Sequence, residues 1–436
     1  MLVETDSIFN FAKQIFLYNR SLTGNGVRTT LKDVKKICPT LKIKEIKSGK
    51  KVFDWQIPLE WNVDRAFVIK PDGSKICDYS ENNLHLVGYS QTVNKIVSLN
   101  ELQEHLYSIP DQPTAIPYVT SYYADNWGFC ISENERVSLV EGDYHVIIEG
   151  KKDVGSMSYG EIYIKGKSKK EILISTYVCH PSMANNEVSG ISVTTYLAAW
   201  LSNLQNRFFS YRILFIPETI GSIMYLSKHK NKLKRNVVAG FNVTCVGDNR
   251  KYSFLPSRAG STIADKVAKH VLKYIDNDYV EHTWEERGSD ERQYCSPLID
   301  LPIVSIMRTK YGCYPEYHTS LDKLGDVVTP EGLNGAFNAI QKSILCLENN
   351  SYPLITNYCE PMLSKRNLYP SIAIKSNDTS YRIIKDILTW SDGTKSILEI
   401  ADKIDLFMLD LLPIINNLKQ HGLLKLKRSR KKFKLI

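Results

Sequence analysis

The sequence predicts an α/β protein: a mostly parallel sheet flanked by helices, interrupted by a β-rich insert and followed by a C-terminal winged helix. Three observations carry this. From Gly155 to Glu348, short β-branched apolar runs alternate with longer stretches of helical periodicity, the pattern of strands joined by crossover helices. Between Lys44 and Ile148 the texture shifts to short alternating runs punctuated by Gly, Pro, Asp and Asn. After Ser371, three amphipathic segments precede a strongly basic end.

Within residues 4–18, Ile8, Phe9, Phe11, Ala12, Ile15 and Phe16 recur at helical spacing. That helix stops before Gly24 and Gly26, and a second follows over Val27–Cys38. Arg20 and Arg28, at this turn, are either solvated or available to an acidic substrate group. The insert's strands include Val52–Ile57, Ala66–Ile69, Trp127–Ile131 and Tyr144–Ile148. Trp55, Trp61, Tyr122 and Tyr123 belong either to half-buried sheet faces or to a groove for a sugar or peptide.

Strands over Glu161–Ile164, Glu171–Ile174, Tyr211–Ile216, Val237–Val246 and Leu301–Ile306 follow. Between them lie helices after Gly190, from about Thr219, over Thr262–Ile275 and over Pro330–Glu348, the last N-capped by Thr329. Residues 351–372, with three prolines, read as a linker. Helices over Ser380–Leu388, Ser396–Ile404 and Leu406–His421, then a hairpin of Leu423–Leu426 with Phe433–Ile436, complete a winged helix. The resulting domains are 1–43 with 149–360 (α/β), 44–148 (insert) and 373–436 (winged helix).

No run of eighteen apolar residues reads as a membrane span, and the first residues lack the features of a secretory signal. The nine cysteines are scattered without a CxxC pair, which fits reduced thiols and a cytoplasmic location. From Ser371 onward there are 13 Lys/Arg against 7 Asp/Glu, +6 of the total charge of +9. Basicity is therefore largely a property of the tail.

Chemistry concentrates where strands end, the edge at which α/β sheets bind ligands. Four such ends carry ligand-type residues: His180 with Asn186 and Glu187, Glu218, Asp248, and His318. Two imidazoles and several carboxylates suit zinc or a similar divalent ion. A loop histidine bonded to its neighbours is the bland alternative for any one of them.

The order of motifs resembles the co-catalytic zinc aminopeptidases and their relatives, the glutamate carboxypeptidases and glutaminyl cyclases. It is more similar still to the aminopeptidase-like proteins encoded beside bacterial polysaccharide-biosynthesis genes. Those share an insert motif like Phe53–Trp61 with Tyr89–Ser90, a Ser-Asp motif like Gly288–Tyr294, and a C-terminal winged helix. The resemblance implies a zinc-aminopeptidase-like fold, with one or two zinc ions held by His180, Asp248 and His318. The bridging carboxylate would fall at Asn186, with Glu187 one residue along to replace it. Glu218, followed by Thr219 where the family has a second glutamate, would relay a proton to the leaving amine, and Tyr317 would stabilise the oxyanion. Asp290, Glu291 and Arg292 would support the site or grip substrate, and Asp322 would hold an imidazole.

The implied activity is hydrolysis of an amide, in a small peptide or an amino-acyl or sugar conjugate, connected with polysaccharide or modified-sugar biosynthesis. The competing reading is a catalytically degenerate peptidase fold that serves as a scaffold or contacts nucleic acid through its winged helix. Lys419 and His421 are the basic groups of its third helix, both at the C-terminal end. That favours a protein partner or homo-oligomer over nucleic acid.

Overall fold

Two amphipathic helices open the chain in the computed structural model, which describes residues 6–366, 368 and 379–429. Helix α1 (Ser7–Ile15) buries Ile8, Phe9, Phe11, Ala12 and Ile15, one face of a 3.6-residue period. Helix α2 (Asn25–Ile37) buries Val27, Leu31 and Val34. A Cβ on Gly26 would lie 1.8 Å from the Asn19 carbonyl oxygen, so only glycine fits this turn.

Strand β1 (Lys42–Lys47) leads into the insert. There β2 (Glu60–Ile69), β3 (Val93–Ser98) and β4 (Asp143–Asp153) form an antiparallel sheet with the short strand Lys75–Ile76. The chain then alternates: β5 (Ser156–Ile164), β6 (Glu171–Tyr177), α3 (Ser189–Asn203), β7 (Ser210–Ile216), α4 (Ile220–Asn236) and β8 (Val237–Asn242). Strand β9 (Ser253–Leu255), α5 (Ile263–Ile275), β10 (Val280–Glu281), β11 (Ile303–Met307) and α6 (Pro330–Asn349) follow. Thr329 caps α6 by accepting the Gly332 N–H at 3.0 Å.

The main sheet has eight strands in the order β1-β5-β7-β6-β8-β11-β9-β10. Its centre, β7-β6-β8-β11, is parallel; β1 and β5 run antiparallel on one side, and on the other β9 is antiparallel to β11 but parallel to the edge strand β10. Four of its seven pairings are parallel, the mostly parallel sheet the sequence predicts, with antiparallel pairing confined to three flanking contacts. Strands β6 and β7 are buried at every residue, as parallel strands covered on both faces must be. Apolar pattern reports such burial but carries no information on strand direction.

Arg28 of α2 grips Glu60 of β2 through both terminal nitrogens at 2.6 Å, tying the first helices to the insert. That pair, with the Ser156 N–H, lowers the Glu60 pKa from 4.5 to about 2 against the cost of burial. A depressed carboxylate pKa gives stability that is complete above about pH 4.5 and is lost as pH falls towards 2. Glu60→Gln is expected to cost about 1–2 kcal/mol at neutral pH, after allowance for solvent screening. Urea midpoints of variant and parent should converge between pH 5 and pH 2; a constant gap would refute the linkage.

A second unit comprises Lys266–Asn277 and the chain from Ala339. It contains β12 (Tyr352–Ile355), α7 (Thr379–Trp390), α8 (Ile397–Ile404), α9 (Met408–Gln420) and β13 (Leu424–Lys427). Strands β12 and β13 pair antiparallel, so part of the expected linker is a strand. Its four residues include Pro353, which hides it from pattern reading because proline is confined to edges. The expected wing partner Phe433–Ile436 lies outside the described residues. Ser396 and Glu399 form a capping box at the start of α8. Ser396→Ala is expected to cost about 1 kcal/mol, read as a lower Tm for this unit by calorimetry.

All nine cysteines are unpaired, seven of them buried. Among the described residues no helix is long and apolar enough to cross a membrane.

Candidate functional site

The site grows from the end of β6. The chain continues through Cys179 to His180, whose carbonyl oxygen accepts from Arg20 Nε at 3.0 Å. Arg20 is fully buried, and its other nitrogens donate to the carbonyl oxygens of Ile15 (2.5 Å) and Phe16 (3.3 Å). A guanidinium therefore closes the C-terminus of α1, where the helix dipole favours a cation, and pins the strand end beside it.

A π-helical turn, Ala184–Val188, precedes α3, a geometry that recurs at functional sites. Asp322 holds it by accepting the Asn185 and Asn186 N–H groups at 2.7 and 3.0 Å. The turn delivers Glu187, whose Oε2 lies 2.9 Å from His180 Nδ1. Its Oε1 has no hydrogen-bond partner and sits 3.5 Å from Arg20 Nε. With Nδ1 engaged, His180 turns Nε2 to Glu218, whose Oε2 is 3.6 Å away.

Glu218 follows β7 on a strained turn. Thr219 has φ +61° and ψ −75°, and the Ile220 N–H reaches back to the Glu218 carbonyl at 2.7 Å. This is a γ-turn, sparsely populated for an L residue. Asp290 over-determines it by accepting the Thr219 N–H (2.8 Å) and the Ser222 hydroxyl (2.7 Å), while Arg292 donates to Thr219 Oγ1 (2.8 Å).

His318 also has positive φ, +57°. Its carbonyl accepts the Tyr118 N–H at 2.8 Å, and Ser320 pairs with Ile116, so the insert is strapped to this loop. The His180 and His318 rings are 5.8 Å apart, each packed on Tyr118. Together with Glu218, Arg292 and Cys179 they floor a cavity of about 350 Å³. Trp55, Tyr118, Tyr122 and Tyr123 from the insert wall it.

Burial sets the electrostatics. It holds both imidazoles at about 3, helped by Arg20 for His180 and by His180 for His318. Burial pushes Glu187 up to about 8 against the opposing Arg20 charge. It also raises Glu218, with the Asp290 charge adding to it and Arg292 opposing. Asp290 rises for the same reason, burial outweighing its two hydrogen bonds.

Not every expected residue arrives in the cavity. Asp248 is saturated: Oδ2 accepts from Asn185 Nδ2 (3.0 Å) and the Thr309 N–H (2.8 Å), and Oδ1 from the Arg250 N–H (3.0 Å) and the Thr309 hydroxyl (2.8 Å). It does not line the cavity. Glu291 accepts from the Gly288 and Ser289 N–H groups, Tyr311 and Asn242, and so braces its own loop. Asn186 Oδ1 accepts from the Tyr177 hydroxyl at 2.9 Å, leaving Nδ2 buried without a partner. Tyr317 stacks on His318 at 3.9 Å instead of lining the cavity. Asp322 holds the π-helical turn and the Tyr314 hydroxyl rather than an imidazole.

Sequence reasoning missed Arg20 as an anchor and Cys179 as a neighbour. Cys179 Sγ accepts the Glu218 N–H at 3.2 Å and lies 3.5 Å from His180 Nδ1. Potential ligand atoms of Cys179, His180 and Glu187 lie within 4.8 Å of one another. A cysteine adjoining the first candidate ligand was the available signal.

Comparison with known proteins is consistent with this architecture. Residues 9–350 match the family model described as a domain of unknown function, DUF4910, and residues 351–426 match a winged helix-turn-helix model. A Clostridium acetobutylicum protein, named for polysaccharide biosynthesis and an aminopeptidase-like domain, is 42% identical over 401 residues, 91% of each chain. A crystal structure from the same organism, at 2.37 Å resolution and named as a peptidase, superposes with TM-score 0.91 at 40% identity, over 97% of this chain and 96% of that one. A zinc aminopeptidase from Bacillus subtilis shares the fold alone: TM-score 0.56, 12% identity, 79% of this chain and 94% of the other. Arrived at from both directions, the chain belongs to the DUF4910 family, an aminopeptidase-like α/β fold with a winged helix-turn-helix behind it.

Proposed function

We propose that this protein is a zinc-dependent hydrolase of amide bonds, acting on a small peptide or an amino-acyl or sugar amide. One observation carries the reading: His180 Nε2 and Glu218 Oε2 stand 3.6 Å apart, with the His318 ring 5.8 Å from that of His180, in one cavity. Two donors on one tetrahedral zinc lie roughly 3.3–3.5 Å apart, and two ligating imidazoles have centroids roughly 5–6 Å apart. The residues therefore fit a site of two imidazoles and one carboxylate with a position left open. Glu187 accepting from Nδ1 would fix the tautomer and aim Nε2, as carboxylate partners of metal-binding histidines do. The saturated Asp248 and the amide at Asn186 favour one ion over two.

Zinc held there supplies Lewis acidity and lowers the pKa of water towards neutrality. The chain supplies the rest. Glu218, facing His180 Nε2, would hold the ion through its carboxylate, whose other oxygen would be the group on this chain placed to take a proton. Arg292 offers a guanidinium to a substrate carboxylate.

Elemental analysis of protein purified without chelator should find about one zinc per chain, and amino-acyl arylamides should be hydrolysed. Absence of both would leave the scaffold reading. Helix α9 buries Met408, Leu411, Ile415 and Leu418 and has Lys419 as its basic residue, which supports a protein partner for the winged helix. A salt-sensitive shift with duplex DNA would argue otherwise.

A further inference from the structure

The catalytic cavity is not closed on the side of the insert. Tyr122 and Tyr123 line it and also line a second cavity, of about 260 Å³, shaped by Gly49, Ile57, Pro58 and Leu59 with Gln56, Asp125 and Lys152. The two spaces share Tyr122 and Tyr123 as a common wall. At the junction Trp55 and Tyr123 meet edge to face, ring centroids 6.3 Å apart, yet remain 41% and 57% exposed. Aromatic surface left open at a cavity mouth usually marks a binding surface.

From this we infer that the outer cavity is a saccharide subsite, and that the substrate carries a sugar ring beyond its scissile amide. The backbone of the outer cavity favours this occupant over a peptide. Gly49 N–H bonds to the Ile57 carbonyl (2.8 Å) and Ile57 N–H to the Lys50 carbonyl (3.0 Å). The Gln56 and Leu59 carbonyls accept from Tyr123 (2.9 Å) and Tyr89 (3.1 Å). These main-chain groups, which an extended peptide would pair with, are therefore already used. What the surface offers is aromatic rings, the Gln56 amide, the Asp125 carboxylate and the Lys152 ammonium. Lys152 lies 3.5 Å from Asp125, so neither charge stands alone to demand an ionic ligand. A pyranose matches this set: its C–H face packs on an aromatic ring while its hydroxyls both donate and accept.

The proposal rests on the hydrolase reading for the reaction, but its binding test does not. In ligand-observed saturation-transfer NMR on the full chain, N-acetylglucosamine and methyl glucoside should receive magnetisation and trialanine should not. Trp55→Ala and Tyr123→Ala, on separate segments, should each weaken saccharide binding at least tenfold, and Asp125→Asn about threefold. If neither saccharide binds, if both alanine variants bind as the parent does, or if trialanine binds more tightly, the inference is overturned. A chain that binds sugar through these residues but holds no zinc would keep the subsite and refute the hydrolase.

Discussion

Glu218→Gln is expected to lower amide hydrolysis by about 10²–10⁴-fold and to reduce the zinc content of the purified protein. The amide that replaces the carboxylate keeps the side-chain volume but offers a neutral, weaker ligand and takes up no proton. The side chain faces His180 Nε2 at 3.6 Å, so the substitution acts on the ligand set directly. The metal readout separates two duties. Rate loss with full zinc would confine Glu218 to proton transfer, whereas joint loss identifies a ligand. Full rate and full zinc would dismiss both and with them the proposed centre. Thr219→Gly is a useful companion, since glycine relieves the φ of +61° while removing the hydroxyl that Arg292 holds.

Arg20→Met should destabilise the main α/β unit by about 3–5 kcal/mol, because three buried or part-buried carbonyl oxygens lose a charged donor at once. The substitution leaves the carbonyl oxygens of Ile15, Phe16 and His180 without their donor and Glu187 without its nearby cation. Urea melts with unchanged m-values provide the measurement. A change below about 1 kcal/mol would show that Arg20 does not organise the strand end.

Local periodicity carried much of the architecture. The apolar spacing of Ile8 to Phe16, the buried runs of β6 and β7, and Thr329 ahead of Pro330 are short-range signals, and each marks an element of the structure. The candidate ligands His180 and Glu218 were legible because each lies just past a strand end, and strand ends share one edge of a sheet, whereas His318 reaches the same cavity on the loop after β11. The aromatic residues of the insert were visible as a pattern, but not their place in the wall of the cavity.

What the chain's order of residues determined by itself is therefore the set of elements and the edge at which chemistry gathers, because both follow from periods of two and 3.6 residues within short windows. Tertiary structure alone decided which polar groups remain available. Asp248 is claimed by Asn185 and Thr309, about sixty residues away on either side, and Arg20 by His180 across 160 residues. It likewise joined Tyr352–Ile355 to Leu424–Lys427 and set β1 against β5, and β9 against β11, in antiparallel register. Hydrogen-bond saturation and strand direction depend on which distant segments meet, and no local pattern encodes that meeting.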